Sequence, residues 1–204
     1  MLYRDYIRVG GTQSKECRFY AESKDVSRKS TEDFAAEVTE ILKNIPSISF
    51  VRSQDKQGAD IYVYLVPRKE LDVFHTGKSL DDSSKPHPNP NVRFSVTSYG
   101  PSYDKPTSFI DADNYLNGVP ESNFSQADYR SYVIIHEVLH AIGFDHVECQ
   151  ENQICNVMHQ HTKGIPKNST ANYKVTLDDL SKTKRLPNHP YNNVYFPDFP
   201  VVMV

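Results

Sequence analysis

Three histidines and one glutamate fall close together in the run His136-Glu137-Val138-Leu139-His140-Ala141-Ile142-Gly143-Phe144-Asp145-His146. Residues four apart on a helix share one face, so His136 and His140 can aim two imidazoles at a single metal ion. Glu137 stands one step round the helix from His136. A carboxylate there can lie beside a metal without binding it and take a proton from metal-activated water. Gly143 has free access to positive φ, so the chain can turn sharply and bring His146 back as a third ligand. Three histidines leave the fourth position of a zinc ion open for water, as a catalytic site requires and a structural site avoids. The expectation is one catalytic zinc ion (Zn2+) held by His136, His140 and His146, with Glu137 as general base and acid. The five fixed positions of HExxHxxGxxH would arise by accident with a probability on the order of 10⁻⁵ in a chain of this composition. A helix that merely carries two solvated histidines is therefore the weaker account.

A helix has to hold this run. Ser125-Gln126-Ala127-Asp128 has the form of a capping signal, and Tyr129 to Ile142 follow without proline or glycine until Gly143 ends the helix. Upstream, residues 1–15 are polar and weakly patterned, which suggests a ragged start. Cys17 to Ala21 alternate as a strand. Ser30 or Thr31 can cap a helix whose Phe34, Val38, Ile41 and Leu42 share one face, ended by Asn44 to Pro46. Ile48 to Val51 is a second strand. Ile61 to Val66 is apolar almost throughout, as expected of a central strand buried on both faces. Residues 77–91 read as a long loop, Val92 to Tyr99 as an edge-like strand, and Ser108 to Asp111 as another strand. A second late helix is indicated from Leu177 to Leu186, opened by Thr176, and the tail after Pro187 reads as extended on the surface. Strands come first and helices later, an α+β layout. The expected division is an N-terminal extension (1–16), a catalytic domain (17–186) and a C-terminal tail (187–204).

Composition narrows the function classes. Charged residues are 24% and the net charge is −3, so nothing argues for nucleic acid as a partner. No apolar run is long enough for a membrane span, and no signal peptide is visible at the N-terminus. Intracellular residence and a trimmed secreted domain both fit, and localisation stays open. The expected partner is a protein or peptide substrate, and a monomer is expected. Three cysteines, Cys17, Cys149 and Cys155, are too few for a disulfide scaffold. Cys149 and Cys155 either pair and brace the loop after the zinc ligands or remain free thiols.

HExxHxxGxxH resembles the zinc signature of the metzincin metallopeptidases, which His136, Glu137, His140, Gly143 and His146 match position for position. Metzincins also carry a methionine in a tight turn beneath the metal, and Met158 in Asn156-Val157-Met158-His159 stands where that turn is expected. The segments around Asp113-Asn114-Tyr115, Tyr129-Arg130, Cys149 and Val157 to Gly164 are similar to a bacterial family of secreted metzincin-like proteins whose function is uncharacterised. Ala59-Asp60-Ile61 more distantly resembles the matrixin pattern. The resemblance covers residues 17–165, strongly from 113 on. It implies a zincin-like fold: a twisted, mostly parallel N-terminal sheet with a backing helix, an active-site helix and a small C-terminal subdomain. It further implies endopeptidase activity, with substrate lying along an edge strand, for which Val92 to Ser98 is the candidate.

The sequence departs from the family pattern in places. Leu139 stands where glycine is common, and His159 and His161 stand where glutamine or tyrosine is usual. The residue that supports the transition-state oxyanion is thus open among His159, His161 and Tyr132. No zinc-blocking prodomain cysteine is visible, and Cys17 reads as structural. A non-catalytic zinc-binding interaction module and a hydrolase of non-peptide amides are the rival functions. His75, His87 and His189 read as surface histidines. Asp81-Asp82 and Asp178-Asp179 read as a solvated loop and a helix start rather than a calcium site.

Overall fold

The computed structural model describes residues 7–9, 12–71, 94–99, 103–186, 189–191 and 194–195. Its centre is β4 (Ile61–Val66), whose six residues are all buried. Ile61, Val63 and Leu65 face the larger core, whereas Tyr62, Tyr64 and Val66 join a smaller cluster with Ala59 and Leu71. The unbroken apolar run therefore lies between two packed layers, as expected of a central strand.

On one side β4 pairs in parallel with β2 (Thr12–Ser23), and on the other with β6 (Thr107–Asp111). The same β2 also pairs in parallel with β3 (Ile48–Arg52) and antiparallel with the short β1 (Ile7–Val9). The far edge is β5 (Val96–Ser98), antiparallel to β6. The result is a mixed α/β protein with a mostly parallel sheet, consistent with the α+β class.

Helix α1 (Thr31–Leu42) is capped by Ser30, whose hydroxyl accepts the Asp33 amide at 3.1 Å. It buries Phe34, Ala35, Val38, Ile41 and Leu42 in the larger core. Short α2 (Ala112–Asn117) follows β6 directly, and α3 (Gln126–Ala141) is the long helix that carries the histidine run. Ser125 caps α3 as expected, accepting the Asp128 amide at 3.1 Å. α4 (Leu177–Lys182) opens with a reciprocal capping box between Thr176 and Asp179, so Asp178-Asp179 do form a helix start. None of the described helices is long and apolar enough to cross a membrane.

Four expectations are corrected. The start of the chain is not simply ragged, because Ile7–Val9 and Thr12–Ser14 form a ladder. The strand expected over Val92 to Tyr99 is paired only at Val96–Ser98; residues 92–93 lie outside the described residues. Its ladder stops because the Ser95 hydroxyl, not a backbone carbonyl, accepts the Asp111 amide (3.0 Å). The late helix ends at Lys182 rather than Leu186. Lys184 to Leu186 instead pair with the chain just beyond α3: the Asp145 amide donates to the Lys184 carbonyl (2.9 Å) and the Leu186 amide to the Gly143 carbonyl (2.8 Å). The tail does not simply lie extended on the surface. Tyr191 donates its hydroxyl to the Asp60 carbonyl (2.8 Å), Tyr195 is buried in the larger core, and the Val194 carbonyl accepts from the Lys15 ammonium. Aromatic rings in the tail find more apolar surface on the body than in water.

One junction links the sheet to the helices. Asp111 ends β6, caps α2 by accepting the Asn114 amide (2.9 Å), and is 0% exposed. Arg68 meets it with a two-pronged contact at 3.0 and 3.2 Å and also donates to Asn114 at 2.7 Å. Losing the carboxylate removes a cap and the two-pronged partner of Arg68, which keeps its contacts with Asn114 and with Asp113 (3.4 Å). Asp111→Ala is expected to lower unfolding stability by about 2–4 kcal/mol, measured by urea denaturation.

Candidate metal centre

The three histidines of the run converge. Their nearest ring nitrogens all lie within 4.8 Å of one another, with Nε2 of His140 at 3.1 Å from that of His136 and 3.0 Å from that of His146. Helix geometry accounts for the first pair. Gly143, at φ +102°, makes the turn that returns the chain to His146. Backbone strain at a residue with a Cβ would oppose this turn. The turn is also held from outside. Arg185 lies over the Phe144 ring at 4.3 Å and donates to the carbonyls of Gly143 (3.1 Å) and Ile142 (3.0 Å), which the end of α3 would otherwise leave exposed.

The hydrogen bonds decide which way each ring is protonated. His136 Nδ1 lies 2.8 Å from the Val157 carbonyl, and His140 Nδ1 lies 2.8 Å from the Phe144 carbonyl. A carbonyl only accepts, so in both neutral rings Nδ1 carries the hydrogen and Nε2 offers a lone pair. Those two lone pairs face each other at hydrogen-bond distance with no proton between them. Such an arrangement suits a shared cation. Nitrogens bound at ~2.0–2.1 Å to one tetrahedral zinc would lie about 3.3–3.4 Å apart, a few tenths of an ångström beyond the spacing found. The donor set therefore fits zinc. Burial, followed by the neighbouring charges of His140 and His146, holds His136 well below its ordinary pKa, keeping its lone pair available.

Glu137 is 5% exposed, and burial pushes its carboxyl up to about 8, opposed by a bond from Thr97. Thr97 Oγ1, on the edge strand β5, lies 2.8 Å from Glu137 Oε2 and 2.9 Å from the Glu137 carbonyl. Ser108, its cross-strand partner on β6, donates to that carbonyl at 3.1 Å. The Thr97 hydroxyl has one hydrogen, and with the carbonyl served by Ser108 it can go to the carboxylate. Nothing in the sequence run itself points to Thr97, which lies 40 residues away.

Below the histidines, residues 156–159 form a tight turn. The His159 amide donates to the Asn156 carbonyl (2.9 Å), the Asn156 side chain accepts the Met158 amide (2.8 Å), and Met158 is fully buried. This is the turn whose Val157 carbonyl orients His136. Cys149 and Cys155 are joined in a disulfide ahead of it, which decides that alternative, and Cys17 is a buried free thiol on β2.

The three oxyanion candidates are all tied to backbone groups. The Tyr132 hydroxyl donates to the His159 carbonyl (3.1 Å) and accepts the His161 amide (3.0 Å). His161 Nδ1 faces the His159 carbonyl (2.8 Å), and His159 Nδ1 faces the Val147 carbonyl (3.3 Å). Nε2 of both rings is buried. His75, His87, Asp81 and Asp82 lie outside the described residues. His189, expected at the surface, is instead 4% exposed and stacks edge-on with Tyr99 at 4.6 Å. Only the tertiary pairing of the segment after α4 with the turn after α3 could place it there.

A family model described as "Protein of unknown function (DUF3152)" matches residues 44–192, which span the sheet from β3 on, the histidine centre and His189. No curated protein matches the chain.

Burial lowers His161 to about 4. In the unfolded chain it takes up a proton near 6.5, so between these values the unfolded state binds more protons and stability falls as pH falls. Relative to His161→Gln, the wild-type protein is expected to lose up to about 3 kcal/mol between pH ~6.5 and ~4, read from urea denaturation across that range.

Proposed function

The chain belongs to the family described as DUF3152, and from the centre it carries we propose that it is a zinc-dependent endopeptidase of the metzincin type. The observation that carries this reading is the pair of backbone carbonyls, Val157 and Phe144, that commit two imidazole lone pairs to one point beside a buried glutamate. The Gly143 turn, the methionine turn at 156–159 and the parallel sheet with an antiparallel edge strand support the metzincin assignment.

His136, His140 and His146 would hold one zinc ion, which when bound would polarise the scissile carbonyl and acidify water. Glu137 accepts the proton of the attacking water and delivers it to the leaving amine. A carboxyl raised by burial is suited to both halves of that transfer, since its affinity for the proton is close to neutral pH. Thr97 holds the carboxylate from the edge strand, so the strand proposed to align the substrate also aligns the base. The carboxylate favours catalysis over a zinc site that only supports structure, because a structural site has no use for a base next to its ligands.

Zinc-loaded protein should cleave an unstructured protein and a mixed peptide library. Glu137→Ala should abolish cleavage while retaining zinc, and His146→Ala should lose zinc itself, both read by metal analysis of the purified variants. Zinc bound with no cleavage of any peptide would favour a binding module or a non-peptide amide as substrate. Thr97→Val is expected to lower kcat by about tenfold with little change in KM, and Thr97→Ser to restore it; unchanged kcat in Thr97→Val would remove Thr97 from the mechanism.

A further inference from the structure

An α-helix leaves its last carbonyls without partners in its own backbone, and whatever meets them directs the chain that follows. At the end of α3 part of the closure is local. The Gly143 amide donates to the His140 carbonyl and the Phe144 amide to the Leu139 carbonyl, both at 3.0 Å, the paired bonds by which a glycine ends a helix. The carbonyls of Ile142, Gly143 and Phe144 lie beyond that closure. His140 Nδ1 takes the one on Phe144 at 2.8 Å. The other two are met from the segment after α4.

Arg185, 2% exposed, donates from Nε to the Gly143 carbonyl (3.1 Å) and from Nη2 to the Ile142 carbonyl (3.0 Å). Its guanidinium also lies 4.3 Å from the centre of the Phe144 ring. A cation at the negative end of a helix is favourably placed, and burial lowers this one only to about 10, so it stays charged at neutral pH. Its neighbours extend the hold: the Leu186 amide donates to the Gly143 carbonyl (2.8 Å), and the Lys184 carbonyl accepts the Asp145 amide (2.9 Å). Phe144 is thereby fixed by its amide, its ring and its carbonyl. The carbonyl orients one metal ligand, His140, and the chain reaches another, His146, two residues later. A rotation of the Phe144 peptide would take its carbonyl from His140 and shift His146 in the same movement.

We propose that Arg185 is a positioning residue for the metal centre: from the C-terminal segment it locks the Gly143–Phe144 turn in the form that aims His140 and His146 at one ion. This rests on the zinc reading given above and is independent of peptide cleavage. Arg185 touches neither metal nor substrate and acts through the turn. The coupling is reciprocal, because binding free energies are linked: whatever factor the docked segment adds to metal affinity, the metal adds to docking of residues 184–186. The C-terminal segment is therefore tightened when the centre is filled.

The test measures zinc affinity of the full chain by competition with a chelating dye, and amide exchange of Asp145 and Leu186 by NMR with and without zinc. Arg185→Met keeps a side chain against Phe144 but removes the donors. It is expected to weaken zinc binding about 10–100-fold and to alter the visible spectrum of the cobalt-loaded protein, which reports ligand number and geometry. Arg185→Lys, with a single ammonium in place of the fork, should recover part of both. In the wild-type protein zinc is expected to slow exchange at Asp145 and Leu186 by a similar 10–100-fold, roughly, a readout that stands even if Arg185→Met does not fold. Ser30→Ala, which removes the cap of α1 and lowers stability away from the centre, should keep wild-type zinc affinity. A wild-type protein that binds zinc, with exchange at Asp145 and Leu186 unaltered by it, overturns the proposal and leaves the zinc reading standing. So does a folded Arg185→Met with unchanged zinc affinity, or a Ser30→Ala that loses as much affinity as Arg185→Met. Wild-type protein that binds neither zinc nor cobalt overturns the zinc reading and this proposal together.

Discussion

The centre depends on two hydrogen bonds from imidazole to backbone. An imidazole has one hydrogen to give in its neutral form, and the carbonyls of Val157 and Phe144 take it at Nδ1 of His136 and His140. Everything that orients those carbonyls is thereby drawn into the site. The Val157 carbonyl belongs to the turn that ends at His159, with the Cys149–Cys155 bridge just before it. The Phe144 carbonyl belongs to the Gly143 turn, which is clamped by Arg185 and by the strand-like pairing with Lys184 to Leu186. Outer hydrogen bonds of this kind fix ring orientation and raise ligand basicity at metal sites generally.

The sheet contributes the other half of the site through its edge. β5 is short and antiparallel, and its inward hydroxyl at Thr97 meets the Glu137 side chain. A buried carboxylate with few partners holds its proton more tightly than one in water. The partly opposing pull of Thr97 sets that balance from the strand, not from the helix that carries Glu137. Glu137, the three histidines and the edge strand are consequently parts of one packed unit, and a change in the sheet edge would be felt at the carboxylate.

The elements with strong periodicity were readable from the chain alone: the α1 face of Phe34, Val38, Ile41 and Leu42, the doubly buried β4, and α3 with its Ser125 cap. So was the convergence of His136, His140 and His146, because helix spacing and one glycine turn are local constraints. What the sequence did not disclose has long-range causes. The strand β5 was cut short by a side chain from Ser95, the last helix yielded its final turn to pairing with Gly143 and Asp145, and the tail was pulled onto the body by its tyrosines. Thr97 reaches Glu137 from 40 residues away. Local sequence determined which residues could bind a metal, since that follows from spacing along one helix. Only the tertiary structure decided their tautomers and the partner of the Glu137 carboxyl. The tautomers depend on which backbone carbonyl the fold brings within 3 Å or so of a ring nitrogen, and the carboxyl's partner on which strand edge packs over the helix.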